Sequence, residues 1–101
     1  PHGLSIALLL PHVVRFNLAA MPERHAALAT ALGAKSTADL PAALERLIAA
    51  CDVRTGLSRH GIPSDALPRM VDTALQVTRL LRNNPREITR DDALRIYSAA
   101  F

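Results

Sequence analysis

A chain of 101 residues supports one domain with a modest core and is too short to hold a nucleotide-binding domain and a substrate domain together. Half of the residues are apolar but only 3% are aromatic, and most of the apolar residues are Ala and Leu, which favour helices over strands. The formal charge of +3 comes from twelve basic residues, eleven of them Arg, against nine acidic ones. These Arg residues are scattered and stacking aromatic residues are scarce, so composition argues against nucleic acid as a partner.

The cysteine content and the N-terminal segment indicate a compartment. Cys51 is the single cysteine, so it forms no internal disulfide, and its position in an apolar helical run predicts a buried structural thiol in a cytoplasmic protein. The apolar run Leu4 to Leu10 is far shorter than the ~20 residues of a membrane span, and no basic leader of an export signal precedes it. Because the chain starts without Met and enters an apolar helix at once, we expect a fragment or a processed chain.

The first two predicted helices lie in the N-terminal third. Gly3 to Asn17 is apolar almost all round, as expected of a helix buried within a larger body. Pro11 predicts a kink in this helix or, alternatively, a break into two shorter helices. Met21-Pro22 opens the second helix, since Pro is favoured in a first turn, and Gly33 is its candidate C-cap.

Three more helices are predicted downstream. The third follows the capping sequence Ser36 to Asp39 and runs to about Cys51. Asp52 to Pro63 contains two Gly residues and is predicted to be a connecting loop with one turn of helix at most. A fourth helix covers about Leu67 to Leu81 and is ended by Asn83-Asn84-Pro85, and a fifth begins at Thr89. The predicted fold is all-α, a bundle of about five helices in one domain spanning residues 1–101.

Three segments carry a family resemblance. The first has Pro-His-Gly, an apolar helix containing Ala, then Leu-Pro and an aromatic-Asn pair, at Pro1, His2, Gly3, Ala7, Leu10, Pro11, Phe16 and Asn17. The others are a loop with two Gly-hydrophobic pairs and a closing Asn-Pro-Arg helix, at Gly56-Leu57, Gly61-Ile62, Asn84-Pro85-Arg86, Thr89 and Asp92. In this order and spacing the whole chain resembles the iron-containing, or group III, alcohol dehydrogenases. Ile6 departs from the polar residue that many relatives have at this position.

The resemblance implies a two-domain enzyme. An N-terminal α/β domain would bind NAD or NADP, and a C-terminal helical domain would hold a divalent metal, Fe²⁺ or Zn²⁺, through one Asp and three His residues. The His of Pro-His-Gly matches His2, which is therefore the one candidate metal ligand. The remaining ligands and the glycine-rich phosphate loop would precede Pro1, so no catalytic or nucleotide-binding residue is assigned here. In such an enzyme the metal polarises the oxygen of a small alcohol, aldehyde or oxo-acid while hydride passes to or from the nicotinamide.

Other polar residues have simpler interpretations. His12 and His25 are expected to pack or to lie on a solvated helix face, and His60 to lie on a loop surface. Asp91 and Asp92 are expected to favour the start of a helix rather than to bind metal. For Asn84-Pro85-Arg86 two interpretations stay open, a helix terminator or a border of the substrate pocket, with Leu80 as a wall residue.

Three hypotheses about function follow. The first is the C-terminal part of a metal-dependent dehydrogenase, which alone would bind metal weakly and catalyse nothing. The second is a stand-alone helical interaction domain that has lost the chemistry. The third is a basic helical nucleic-acid binder, whose affinity would fall steeply with salt. The apolar surface of the first helix would also favour self-association of the isolated chain, a homo-oligomer.

Overall fold

The computed structural model describes all residues 1–101 and is entirely helical. Six α-helices and two short 3₁₀ helices follow one another: α1 (His2–Asn17), α2 (Pro22–Ala31), α3 (Leu40–Ala50), the 3₁₀ helices Leu57–His60 and Ser64–Ala66, α4 (Leu67–Leu75), α5 (Thr78–Leu81) and α6 (Arg90–Ala99). The all-α fold class is confirmed. None of the helices combines the length and the apolar character that crossing a membrane requires.

Helix α1 is the element around which the others are arranged. It packs against α3 and α6, while α2 packs on α3 and α4 packs on α6. Its residue Leu8 belongs to a cluster with Leu57, Leu67 and Ala100, and Val14 contacts a second cluster built on Leu40 and its neighbours. The smallest dimension of the molecule is 19 Å, about two helix diameters, so few side chains have neighbours on every side. Only 16 of 101 residues are buried.

Helix α1 is continuous through Pro11, so the alternative of two separate helices is wrong. Pro11 is one of the largest side chains of the molecule that are fully buried. Burial of the ring in the core offsets the backbone hydrogen bond that proline cannot donate. The bend at this position stays a prediction.

The starts and ends of the helices largely follow the predicted signals. Pro22 lies in the first position of α2, as predicted, and Pro41 and Pro68 lie in the second positions of α3 and α4. The sequence Ser36 to Asp39 precedes α3 as predicted, but the side chain of the N-cap residue Asp39 makes no capping hydrogen bond. Gly33 has φ of +68°, and the two hydrogen bonds around it, from its own N–H to Thr30 and from Ala34 to Ala29, form a Schellman motif that ends α2.

The N-terminus of α6 confirms the predicted cap. The hydroxyl of Thr89 accepts from the backbone N–H of Asp92, and the Asp92 carboxylate accepts from the backbone N–H of Thr89, which is a complete capping box. The pKa of Asp92 is lowered to about 2, first by the hydrogen bonds from Thr89 and then by the one from Arg95. Asp91 is exposed in the same first turn. The helix-start interpretation of both aspartates is therefore confirmed.

Two predictions about local structure are wrong. The single helix from Leu67 to Leu81 is divided into α4 and α5, because Val77 has ψ of 57° and leaves the helical region. Two β-branched residues meet at Val77 and Thr78, and Val77 is 44% exposed, so no burial compensates for their poor helix propensity. Cys51 is exposed rather than buried; α3 ends at Ala50, and Cys51 is the residue that caps its C-terminus.

A candidate metal ligand at one end of helix α1

His2 is the first residue of α1 and is exposed. No side chain caps this end of the helix, although the Ser5 hydroxyl donates to the carbonyl of Pro1 at 3.2 Å. Gly3 has open space around it, since a Cβ there would meet no atom of the chain within 4 Å. No contact within this chain therefore requires a glycine at position 3, next to the candidate ligand His2.

The surroundings of His2 are apolar. His2 lies at one end of a shallow groove along α1, which is walled further by Ser5, Ile6, Leu9, Leu10 and Val13. Ile6 is 49% exposed and Leu10 37%. Helical spacing brings these side chains onto one strip of the surface with His2 at its N-terminal end. We call His2, Ile6, Leu9, Leu10 and Val13 the His2 strip.

The structure does not assemble a set of metal ligands around the candidate ligand His2. Across the chain, no group of three or more His, Cys, Asp or Glu side chains lies close enough together to hold a metal ion. A single neutral imidazole fits one ligand position of Fe²⁺ or Zn²⁺, whereas a stable site needs three or four protein ligands. The residues present thus fit one ligand position of a metal site and not a complete site.

The other histidines have the positions expected of them. His25 is buried and its Nδ1 lies 2.9 Å from the carbonyl oxygen of Met21. His60 is exposed in the loop, where its Nε2 is 2.8 Å from the carbonyl oxygen of Arg54. His12 is half-buried. This burial lowers its pKa, and the nearby charge of Arg15 lowers the pKa further.

The opposite end of α1 is held by the Asn-Pro-Arg segment. The side-chain amides of Asn17 and Asn84 form a reciprocal pair, with N···O distances of 2.7 and 3.0 Å. Arg86 donates to the carbonyl of Phe16 at 2.8 Å and stacks its guanidinium over the Phe16 ring at 3.8 Å. Asn17 is only 6% exposed, so its polar atoms need these partners.

This pairing joins two of the segments on which the resemblance rests, and it was not predicted from the sequence. It shows that Asn84 and Arg86 bind the end of α1 in addition to following a helix terminus. Leu80 lies on the short helix α5 and is 57% exposed. Its role as a wall of a substrate pocket stays a prediction.

Comparison with known proteins places these features in a family. The model of the Fe-containing alcohol dehydrogenase family, C-terminal part, matches residues 1–101. The chain belongs to the iron-containing alcohol dehydrogenase family. The sequence-based recognition of the family is thereby confirmed.

Individual relatives agree with this assignment. The chain is 38% identical to sulfoacetaldehyde reductase of Bilophila wadsworthia and 33% identical to 1,3-propanediol dehydrogenase of Citrobacter freundii, each time over 100% of its own length. It covers 29% and 28% of these two proteins. Among solved structures, 1,3-propanediol oxidoreductase superposes with a TM-score of 0.89 at 34% identity, over 100% of this chain and 28% of that one. An iron-containing alcohol dehydrogenase from Corynebacterium glutamicum superposes with a TM-score of 0.81 at 31% identity, over 100% of this chain and 27% of that one.

Proposed function

We propose that this chain forms the helical C-terminal part of a metal-dependent, NAD(P)-linked alcohol dehydrogenase, or of a related reductase of small aldehydes or oxo-acids. The observation that carries the proposal is the family match over residues 1–101 together with the exposure of His2 at the N-terminus of α1. The chain spans less than a third of the length of the relatives. The nucleotide-binding domain and the other metal ligands would come from residues outside these 101.

In this proposal His2 contributes one imidazole ligand. Bound Fe²⁺ or Zn²⁺ would supply a Lewis acid at the substrate hydroxyl, and NAD or NADP would accept the hydride. The His2 strip has two functions of its own. It would orient the imidazole at the start of a helix that is anchored at its far end, and its apolar side chains, which are partly exposed in this chain, would exclude water from the ligand once the rest of the enzyme covers them. Alone, the chain would be inactive, because it holds one ligand and no nucleotide site.

A chimera tests the proposal. The segment of Citrobacter freundii 1,3-propanediol dehydrogenase that aligns with this chain is replaced by residues 1–101, and the protein is loaded with Fe²⁺ or Zn²⁺. We expect one equivalent of retained metal and NAD(P)-dependent oxidation of 1,3-propanediol. His2→Ala in the chimera should lose both, whereas His60→Ala, an exposed loop histidine, should lose neither.

Two results would count against the proposal. One is a folded chimera that retains no metal although the unmodified relative retains it under the same conditions. The other is retention of metal and activity in His2→Ala, which would remove His2 from the ligand set. A folded and inert chimera would favour the alternative, a helical interaction domain that has lost the chemistry.

A further inference from the structure

A shallow pocket that several charged side chains line lies away from the His2 strip, where α1 meets α6 and the Asn-Pro-Arg segment. It has a volume of about 310 Å³, is open to solvent, and is lined chiefly by His12, Arg15, Phe16, Arg86, Asp92 and Arg95. His12 is ten residues from His2 along α1, about 15 Å of helix. The pocket is therefore a separate feature from the candidate metal ligand.

Arg86 gives this pocket a fixed positive charge. Its guanidinium is held by the carbonyl of Phe16 and by the Phe16 ring, and none of the four salt bridges of the chain includes it. A guanidinium has five N–H donors in one plane, so most of its donors remain without a protein acceptor. The cation is thus positioned before any ligand arrives.

Arg15 and Arg95 add two further positive charges, and each of them is in an ion pair. Arg15 is paired with Glu45 at 3.3 Å, and Arg95 is paired with Asp92; both guanidinium groups are more than half exposed. The Arg15–Glu45 pair is exposed on both sides and contributes little, so Arg15 can turn toward another anion at low cost. Arg95 keeps its contact with the less exposed Asp92 carboxylate and has further N–H donors on its exposed guanidinium. The Asp92 carboxylate already accepts hydrogen bonds from the backbone and hydroxyl of Thr89 and leaves little acceptor capacity for the pocket.

His12 supplies a further donor. The Nη1 atom of Arg15 lies 3.4 Å from Nδ1 of His12, and since Arg can only donate, Nδ1 accepts and the neutral ring carries its proton on Nε2. Burial and the charge of Arg15 lower the pKa of His12, against the opposing effect of Glu45, and so favour the neutral ring. The wall of the pocket therefore has many hydrogen-bond donors, and its one carboxylate, Asp92, already accepts hydrogen bonds from Thr89.

We propose that this pocket is an anion site for phosphate, either the free ion or the terminal group of a small phosphate ester. Three guanidinium groups stand against two carboxylates, Asp92 on the wall and Glu45 beside Arg15, so the site keeps an excess of one positive charge that attracts a phosphate anion. The forked donors of Arg match the oxygens of phosphate, and such charge-assisted hydrogen bonds are strong. The proposal does not depend on the dehydrogenase function.

The test is a titration of inorganic phosphate into the 101-residue chain at constant ionic strength, followed by calorimetry and by NMR of the His12 ring. We expect saturable binding that moves the His12 signals and raises the pKa of His12, because the anion stabilises the imidazolium in the presence of Arg15, Arg86, Arg95, Glu45 and Asp92. The double variant Arg15→Gln, Arg95→Gln should bind phosphate about tenfold more weakly or worse. The charge-matched control Arg24→Gln, Arg79→Gln should bind as the unchanged chain does.

Circular dichroism confirms that each variant is folded, and Arg95→Gln alone replaces the double variant if that variant loses its helices. Methyl phosphate distinguishes the two sources: equal binding assigns the site to phosphate esters, and binding of inorganic phosphate alone assigns it to the free ion. The proposal is overturned by the absence of saturable binding, by equal binding of acetate, or by an equal loss in the control variant.

Discussion

The two ends of helix α1 differ in how completely this chain provides partners for their polar side chains. At the C-terminal end, Asn17 and Phe16 are bound by Asn84 and Arg86, and no buried side-chain polar atom of the molecule lacks a partner. At the N-terminal end, His2 is exposed beside a strip of apolar side chains and belongs to no group of three or more potential metal ligands. The C-terminal end thus belongs to the stable fold of this chain, whereas the N-terminal end carries His2, the ligand that in our proposal is completed by residues outside the chain.

The largest expected effect compares two leucines of this helix. Leu8→Ala should lower the free energy of unfolding by about 2–5 kcal/mol, because Leu8 is buried in the cluster around Leu57 and Leu67. Leu10→Ala, on the His2 strip, should cost less than about 1 kcal/mol, since Leu10 is already partly solvated. Urea unfolding monitored by circular dichroism measures both. An equal loss in the two variants would show that the strip is covered in solution, for example by a second copy of the chain.

A smaller effect tests the anchored end. Asn84→Ala should cost about 1–3 kcal/mol, because it leaves the buried amide of Asn17 without its partner. Asn83→Ala, one residue earlier and exposed, is the matched control and should change stability by less than about 0.5 kcal/mol. If the two substitutions have the same effect in urea unfolding, the amide pair does not hold α1.

The smallest expected effect is on the stability of the folded chain at acidic pH. The folded chain holds the pKa of Asp92 at about 2, below its usual 3.8, so the ionised carboxylate contributes stability above about pH 4 that is lost as the pH falls toward 2. Asp92→Asn should therefore give a shallower fall of stability between these pH values. Asp91→Asn, which removes a carboxylate outside the capping box, should keep the slope of the unchanged chain. In every variant the stability should still fall somewhat as the pH is lowered, because hydrogen bonds from Arg46 and Arg90 lower the pKa values of Asp39 and Asp72 too.

Sequence patterns predicted the fold class, the caps at Gly33 and Thr89, and the family. These features depend on local rules, such as left-handed backbone at a helix end, or on contiguous motifs. The break at Val77 and the exposure of Cys51 could not be read from local patterns, because both depend on where the core lies in three dimensions. The same holds for the pairing of Asn17 with Asn84, which are 67 residues apart. The two family segments that contain these residues were the available signal, but a motif alone does not say which of its polar groups bind each other.

The ligand role of His2 was predicted from one motif, and the structure adds that His2 is exposed and belongs to no group of three or more potential metal ligands. The most direct test of this account is a titration of Zn²⁺ or Fe²⁺ into the 101-residue chain and into His2→Ala, followed by calorimetry. The account predicts no tight one-to-one binding in either protein, because one imidazole does not make a metal site. Tight stoichiometric binding by the chain that is lost in His2→Ala would contradict it, since the chain would then contain a complete set of ligands.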